Sequence, residues 1–149
     1  MKLNLGRAIL GGLFGTAAMT ILMYGVAPMM GVHMDIAAML GSMLGGWTAG
    51  MIAHLMNGTI VFPLVYALVI YRFFKGSPLL RGALFGAGLW LMAQLVVLPM
   101  MGAGLFSANA GGAVAAGASL MGHLIYGSLL GSIAGRPKLG QPVLSIKAA

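Results

Sequence analysis

Four long apolar runs set the fold class of this chain. They cover about residues 8–27, 44–71, 82–101 and 114–134. A helix of roughly 20 apolar residues crosses the hydrocarbon core of a bilayer. Only 6% of the residues are charged, which is too few to cover a water-soluble surface. We therefore predict an all-α polytopic membrane protein with four transmembrane helices.

The positions of the basic residues indicate its orientation. All eight lie before the first run, between the second and third, or after the fourth: Lys2, Arg7, Arg72, Lys75, Arg81, Arg136, Lys138 and Lys147. Segments rich in Lys and Arg stay in the cytoplasm, so we predict that both termini are cytoplasmic. Since these residues orient the helices and contact lipid headgroups, the net charge of +7 does not indicate nucleic-acid binding.

The two halves of the chain carry the same short motifs at a constant spacing. Residues 11–15 (GGLFG) match residues 82–86 (GALFG), and residues 28–31 match residues 99–102 (both PMMG), each pair 71 residues apart. Such self-similarity indicates a duplicated structure. We predict two helical hairpins, residues 1–75 and 76–149, related by a pseudo-two-fold axis along the membrane normal. The alternative is coincidence in a chain built from few residue types.

A histidine lies in the second run and another in the fourth, at matching places in the two halves. The residues four before and four after each are small: Gly50 and Gly58 around His54, and Ser119 and Gly127 around His123. Positions four apart share one face of a helix, so the backbone is bare above and below each imidazole. Ionisable side chains inside membrane helices are rare and indicate function by default.

These two histidines predict a haem b site with two axial nitrogens. A haem needs one imidazole on each side and a flat slot between helices, and helical bundles commonly build cofactor sites in this way. His54 and His123 would ligate the iron, while the four small residues around them would clear the slot. The chain has no cysteine, which excludes covalent haem attachment and thiolate metal sites. A lone metal ion is disfavoured because no run contains an acidic residue.

Two alternatives to the haem stay open. The small residues can simply allow close helix packing, with each histidine hydrogen-bonded to a neighbour, in a cofactor-free structural or accessory subunit. Alternatively, the two histidines line a small ion or proton pathway. The sequence contains no catalytic constellation, so we expect a subunit rather than an enzyme. Thr20 in the first run and Gln94 in the third are polar residues that we expect to bridge helices.

The connection between the first two runs contains His33 and Asp35, the only acidic residue of the chain. In the predicted orientation this connection lies on the side away from the cytoplasm. One interpretation is an ordinary solvated loop. The other is a docking surface for a quinol or a periplasmic cytochrome.

Residues 53–58 (AHLMNG) and 122–131 (GHLIYGSLLG) resemble a family of small uncharacterised four-helix bacterial membrane proteins. A His-Leu-Ile-Tyr-Gly run marks the last helix of that family, and the resemblance covers about residues 5–135. It implies a multi-pass protein of the bacterial inner membrane and carries no established activity. Separately, the 14 Met, the 25 Gly and the scarcity of polar residues indicate a protein that packs against others. We predict a subunit of a respiratory or photosynthetic electron-transfer complex, acting as a homodimer or with other membrane subunits.

Overall fold

The computed structural model of the protein describes residues 4–70, 74 and 76–135, which contain no β-strand. Its helices, labelled in chain order, are α1 (Leu5–Met30), α2 (Ile36–Leu44), α3 (Trp47–Ile70), α4 (Pro78–Met100) and α5 (Gly112–Ala134). A single 3₁₀ turn, Leu105–Ser107, lies between α4 and α5. All but α2 are long and apolar enough to cross a membrane. The predicted all-α fold with four transmembrane helices is confirmed.

Helix α2 was not predicted, because its segment carries no apolar run long enough to span. Asp35 begins it by accepting a hydrogen bond from the Ala38 amide at 2.9 Å, as an N-cap residue does. Gly45 and Gly46 end it with φ values of 93° and 140°, a backbone that residues other than glycine rarely adopt. The second span therefore starts at Trp47, and the predicted start near residue 44 is wrong by about one turn.

The third span, by contrast, begins earlier than predicted, at Pro78 rather than near residue 82. Ser77 accepts a hydrogen bond from the Leu80 amide at 3.2 Å, and Pro78 occupies the first helical position, where its missing N–H costs nothing. Helix α1 continues to Met30, past the predicted end near residue 27, because a 3₁₀ turn covers Ala27–Met30 before Gly31, with a φ of 74°, ends the helix.

Prolines inside α1, α3 and α4 each follow a π-helical turn, at Leu22–Val26, Asn57–Val61 and Ala93–Val97. Proline has no N–H to donate to the preceding turn. In α3 the amide of Phe62, just before Pro63, donates five residues back to the carbonyl of Asn57. The wider turn lets the helix continue through the proline.

The π turns of α1 and α4 are 71 residues apart, and so are Gly31 and Gly102, with φ values of 74° and 81°. The backbone at the ends of these two helices thus repeats the spacing of the sequence motifs. Duplication of the whole hairpins, residues 1–75 and 76–149, stays a prediction.

Glycines bring α4 and α5 together at the backbone. A Cβ on Gly82 would overlap the carbonyl oxygen of Gly127, and one on Gly86 would overlap that of His123. Membrane helices use glycine in this way because close packing, rather than the hydrophobic effect, holds them together. Helix α5 also packs along α1, where Gly15 lies against the Tyr126 ring. The end of the bundle that contains Ala8 and Ala134 holds its main buried cluster, to which α3 contributes Tyr66 and α4 contributes Phe85.

The other end of the bundle, where α3 begins, is more open. Residues Trp47–Met56 of α3 pack chiefly on α2. Gly50 makes this contact possible, since a Cβ there would overlap the carbonyl oxygen of Ala37. Because this half of α3 packs on α2, a space remains inside the bundle, and the candidate site lies there.

Candidate functional site

A cavity of about 320 Å³ lies between α1, α3, α4 and α5. The segment that includes α2 forms part of its wall through Val32, Met34, Ile36 and Leu40. Most lining side chains are apolar, and none of those described is Lys, Arg, Asp or Glu. The polar ones are Thr16, His54, Asn57, Ser119, His123 and Tyr126. An apolar cavity of this size with a few polar groups is typical of small-molecule sites.

Both predicted ligand residues reach this cavity. His54 lines it from α3 and His123 from α5. Ser119 and Gly58, two of the predicted small neighbours, line it as well. The structure therefore brings the two imidazoles to the wall of one space, although they belong to different halves of the chain.

The His123 ring is fixed by its own helix. Its Nδ1 lies 2.8 Å from the Ser119 carbonyl oxygen and 3.4 Å from the Ser119 hydroxyl. A carbonyl oxygen only accepts hydrogen bonds, so Nδ1 carries the hydrogen. In the neutral ring Nε2 then holds the lone pair, and no described residue hydrogen-bonds to it. Histidines that bind metals are commonly oriented by such a second bond.

The His54 ring is tied to α1. Its Nε2 lies 3.1 Å from the hydroxyl of Thr20, which in turn lies 2.8 Å from the carbonyl oxygen of Thr16. A hydroxyl has one hydrogen, and that hydrogen goes to the carbonyl. Nε2 of His54 is therefore the donor, which leaves the lone pair of the neutral ring on Nδ1. Thr20 bridges two helices, as expected from the sequence.

The predicted small residues serve helix contacts in this structure. Gly50 lies against Ala37 of α2, and Gly127 lies against Gly82 of α4. Gly58 lies against Thr16, whose hydroxyl a Cβ would overlap. Ser119 supplies the carbonyl and the hydroxyl that hold His123.

Gly122, which the motif spacing did not single out, is the glycine of α5 that opens onto the cavity next to His123. A Cβ there would meet only Met19 of α1, at an ordinary 3.4 Å.

Tyr126 lines the cavity and connects α5 to α3. Its hydroxyl donates to the carbonyl oxygen of Gly58 at 2.7 Å, and both residues are buried. That carbonyl lacks a helical partner because the N–H that would reach it across the π turn belongs to position 63, a proline. The sequence signal for this bond was present in the proline, but the sequence alone does not show which tyrosine would reach the free carbonyl.

Asp35 ties the α2 segment to both neighbouring spans. Besides capping α2, its carboxylate accepts hydrogen bonds from the Tyr24 hydroxyl of α1 and from Trp47 Nε1 of α3, the latter at 3.0 Å. Partial burial raises the pKa of Asp35, but the hydrogen bonds from Tyr24, Ala38 and Trp47 outweigh it and hold that pKa below its usual value of 3.8. His33 is exposed nearby and does not line the cavity.

Gln94, expected to bridge helices, is fully buried in α4 and accepts a hydrogen bond from Ser107 at 2.9 Å. It therefore holds the loop after α4 rather than another helix. Among the described residues no group of three or more His, Cys, Asp or Glu side chains could hold a metal ion.

The four apolar spans and the cavity between them define a multi-pass helical membrane protein with a mainly apolar candidate site. The chain belongs to DUF6789, a family of unknown function whose model matches residues 3–141. No curated protein and no solved structure matches it. Membership agrees with the expected resemblance to an uncharacterised family, while the bacterial origin and the signature motif stay predictions.

Proposed function

We propose that the protein binds a lipophilic molecule inside the membrane, between His54 and His123, as a non-enzymatic subunit of a membrane electron-transfer complex. One observation carries this proposal. Two imidazoles from different halves of the chain line a single apolar cavity of about 320 Å³. Membrane helices rarely place ionisable side chains in such a position without a functional reason.

The chemistry of the cavity supports a small lipophilic ligand. Apolar side chains would bury the body of the molecule, and the few polar groups would orient its polar end. The described lining has no carboxylate and no hydroxyl–imidazole–carboxylate set, so it offers binding rather than bond chemistry.

Haem b is one candidate occupant, and the residues fit it in part. His123 fits, because Nδ1 is held by Ser119 and Nε2 is left with the lone pair that an axial ligand needs. His54 fits less well, because its Nε2 is engaged by Thr20. Three of the small residues that were predicted to leave space for the haem instead make helix contacts: Gly50, Gly58 and Gly127. A bis-histidine haem would require the His54 ring to leave Thr20.

The same packing supports the second candidate, a cofactor-free structural subunit. Here the glycines would serve helix association, and the histidines would serve only their bonds to Thr20 and Ser119. The apolar outer faces of the four spans would contact lipid, a second copy or other membrane subunits. An ion or proton pathway is the third possibility, and loss of proteoliposome flux in His123→Ala would favour it.

A cavity-filling variant tests the proposal directly. Gly122→Leu places a side chain in the cavity, whereas Gly117→Leu places one on an exposed position of the same helix with open space around it. We expect Gly122→Leu to lose saturable binding of decylubiquinol, measured in phosphatidylcholine nanodiscs, and Gly117→Leu to keep it. Equal binding by both variants would contradict a ligand site in this cavity.

A reduced-minus-oxidised optical spectrum of the purified wild-type protein separates the haem from other occupants. A b-type signal that disappears in both His54→Ala and His123→Ala would support the haem. A colourless, folded protein from haem-replete cells would exclude it.

A further inference from the structure

We infer that the ligand of this cavity is a neutral lipophile that donates a hydroxyl hydrogen to Nε2 of His123, which is the chemistry of a quinol rather than of a quinone. The inference rests on the proposed function and specifies the ligand of the same site.

The position of His123 is the first support. Its backbone is fixed because Gly86 of α4 lies directly against the His123 carbonyl. Its ring is fixed because Nδ1 donates to the Ser119 carbonyl oxygen at 2.8 Å. The neutral ring therefore presents an acceptor, Nε2, that no described residue satisfies. An acceptor without a partner in a mainly apolar cavity is unfavourable, so a ligand with a hydrogen to donate removes that cost.

The other imidazole offers no hydrogen either. The N–H of His54 goes to Thr20 at 3.1 Å, which leaves its remaining nitrogen as a second acceptor. The two histidines at the cavity wall thus have two lone pairs and no free N–H. Two hydroxyl groups match this pattern, whereas two carbonyl oxygens do not. The amide of Asn57 can donate or accept and therefore does not discriminate between the two forms.

The lining also excludes a charged ligand. No described lining residue carries a formal charge, and the cavity lies among spans that are long enough to cross a membrane. A charged group in such a place is costly without a partner of opposite charge. The ligand is therefore neutral, mainly apolar, and polar at an end that bears hydroxyl groups.

Three related probes test this directly: decylubiquinol, its dimethyl ether, and decylubiquinone. Binding is measured to the reconstituted full chain in phosphatidylcholine nanodiscs. The ether cannot donate but adds two methyl groups, whereas the quinone nearly keeps the size of the quinol and also cannot donate, so the two probes together separate size from donation. We expect the ether and the quinone to bind about tenfold more weakly than the quinol, or worse, since each leaves Nε2 of His123 without a donor.

Variants of His123 assign the effect to one atom. His123→Phe keeps a ring but removes the acceptor. The affinity of this variant for the quinol should therefore be as low as its affinity for the ether. His123→Gln supplies an amide oxygen, and part of the preference for the quinol should return. His33→Phe is the matched control, because His33 is exposed and does not line the cavity. It should leave all three affinities unchanged.

The outcomes distinguish a failure of the proposed ligand site from a failure of the inferred hydroxyl bond to His123. If all three probes bind equally and Gly122→Leu abolishes their binding, the cavity is a ligand site and the hydroxyl inference is wrong. If none binds and no haem is present, the proposed function itself is wrong. If His123→Phe folds and keeps the preference for the quinol, the donor bond to His123 is refuted. Should His123→Phe fail to fold, binding of the quinol, the ether and the quinone to the wild-type chain decides: the inference requires that the ether and the quinone both bind more weakly than the quinol.

Discussion

The hydroxyl of Tyr126 donates to the carbonyl oxygen of Gly58 at 2.7 Å, across 68 residues of sequence. Pro63 creates the need for this bond, because it removes the N–H that would otherwise reach Gly58 across the π turn. The bond joins α3 to α5, and both residues line the cavity. The bond therefore connects the two helices that carry His54 and His123, about one helical turn from each histidine.

This relationship predicts a coupling between Tyr126 and Pro63. Tyr126→Phe should destabilise the protein by about 1 kcal/mol, because it leaves a buried carbonyl without a donor. In the background of Pro63→Ala the cost should fall towards zero, since the new amide can reach the carbonyl. Unfolding in mixed micelles of the wild type, both single variants and the double variant measures the coupling. Equal costs in the two backgrounds would show that the proline does not create the free carbonyl.

Two glycines of α4 should respond oppositely to the same substitution. Gly82→Ala should destabilise the bundle by about 1–3 kcal/mol or more, because its Cβ would overlap the backbone of Gly127. Gly88→Ala is the control, since its Cβ has open space, and it should be neutral or stabilising by up to about 1 kcal/mol. Thermal unfolding of both variants in one detergent measures the difference. Similar melting temperatures would contradict backbone contact between α4 and α5.

The contacts of Asp35 predict a dependence on acid pH. Its hydrogen bonds hold its pKa below 3.8, so the ionised form is favoured in the folded state. The stability it contributes is fully present above its unfolded pKa and is lost as the pH falls through the lower folded value. Trp47 donates to Asp35 and is the sole tryptophan in the variant Trp90→Phe, so its fluorescence reports on this contact. We expect the fluorescence emission of this variant to change only below about pH 3.8.

Asp35→Asn provides the control for this measurement. Asparagine can still cap α2 but does not titrate, so the emission change should disappear. An identical pH profile in Asp35→Asn would show that another group is responsible.

The orientation in the membrane is a further prediction. Reporter fusions at Ala108 should give a signal from the side away from the cytoplasm, and fusions at Lys147 should give a cytoplasmic signal. The reason is that all eight basic residues lie on the side predicted to be cytoplasmic. A cytoplasmic signal at Ala108 would contradict this topology.

The sequence predicted the four spans because a bilayer imposes a simple requirement on length and hydropathy. It did not predict α2, which depends on the local bond between Asp35 and Ala38 and on the contact of Gly50 with Ala37. Neither feature produces a long apolar run. The early start of α4 could have been predicted from Ser77 and Pro78, because serine is favoured at the N-cap of a helix and proline at its first position.

The candidate site was predictable in its residues but not in its geometry. The rarity of histidine in apolar runs identified His54 and His123. The roles of the small residues around them could not be inferred, because a glycine that clears a slot and a glycine that touches a neighbouring helix look alike in sequence. Gly127 touches α4, whereas Gly122, five residues earlier, opens onto the cavity. Only the placement of the neighbouring helices separates them.

The central claim is that His54 and His123 face one ligand in one cavity, and the chain is well suited to a direct measurement of this. It contains three histidines, and the third, His33, is exposed and away from the cavity. Nitrogen NMR of the protein labelled with ¹⁵N in its imidazole rings, recorded before and after addition of decylubiquinol, reports on all three at once. The account predicts that the signals of His54 and His123 both shift while that of His33 does not. Shifts at neither cavity histidine, or equal shifts at all three, would contradict it.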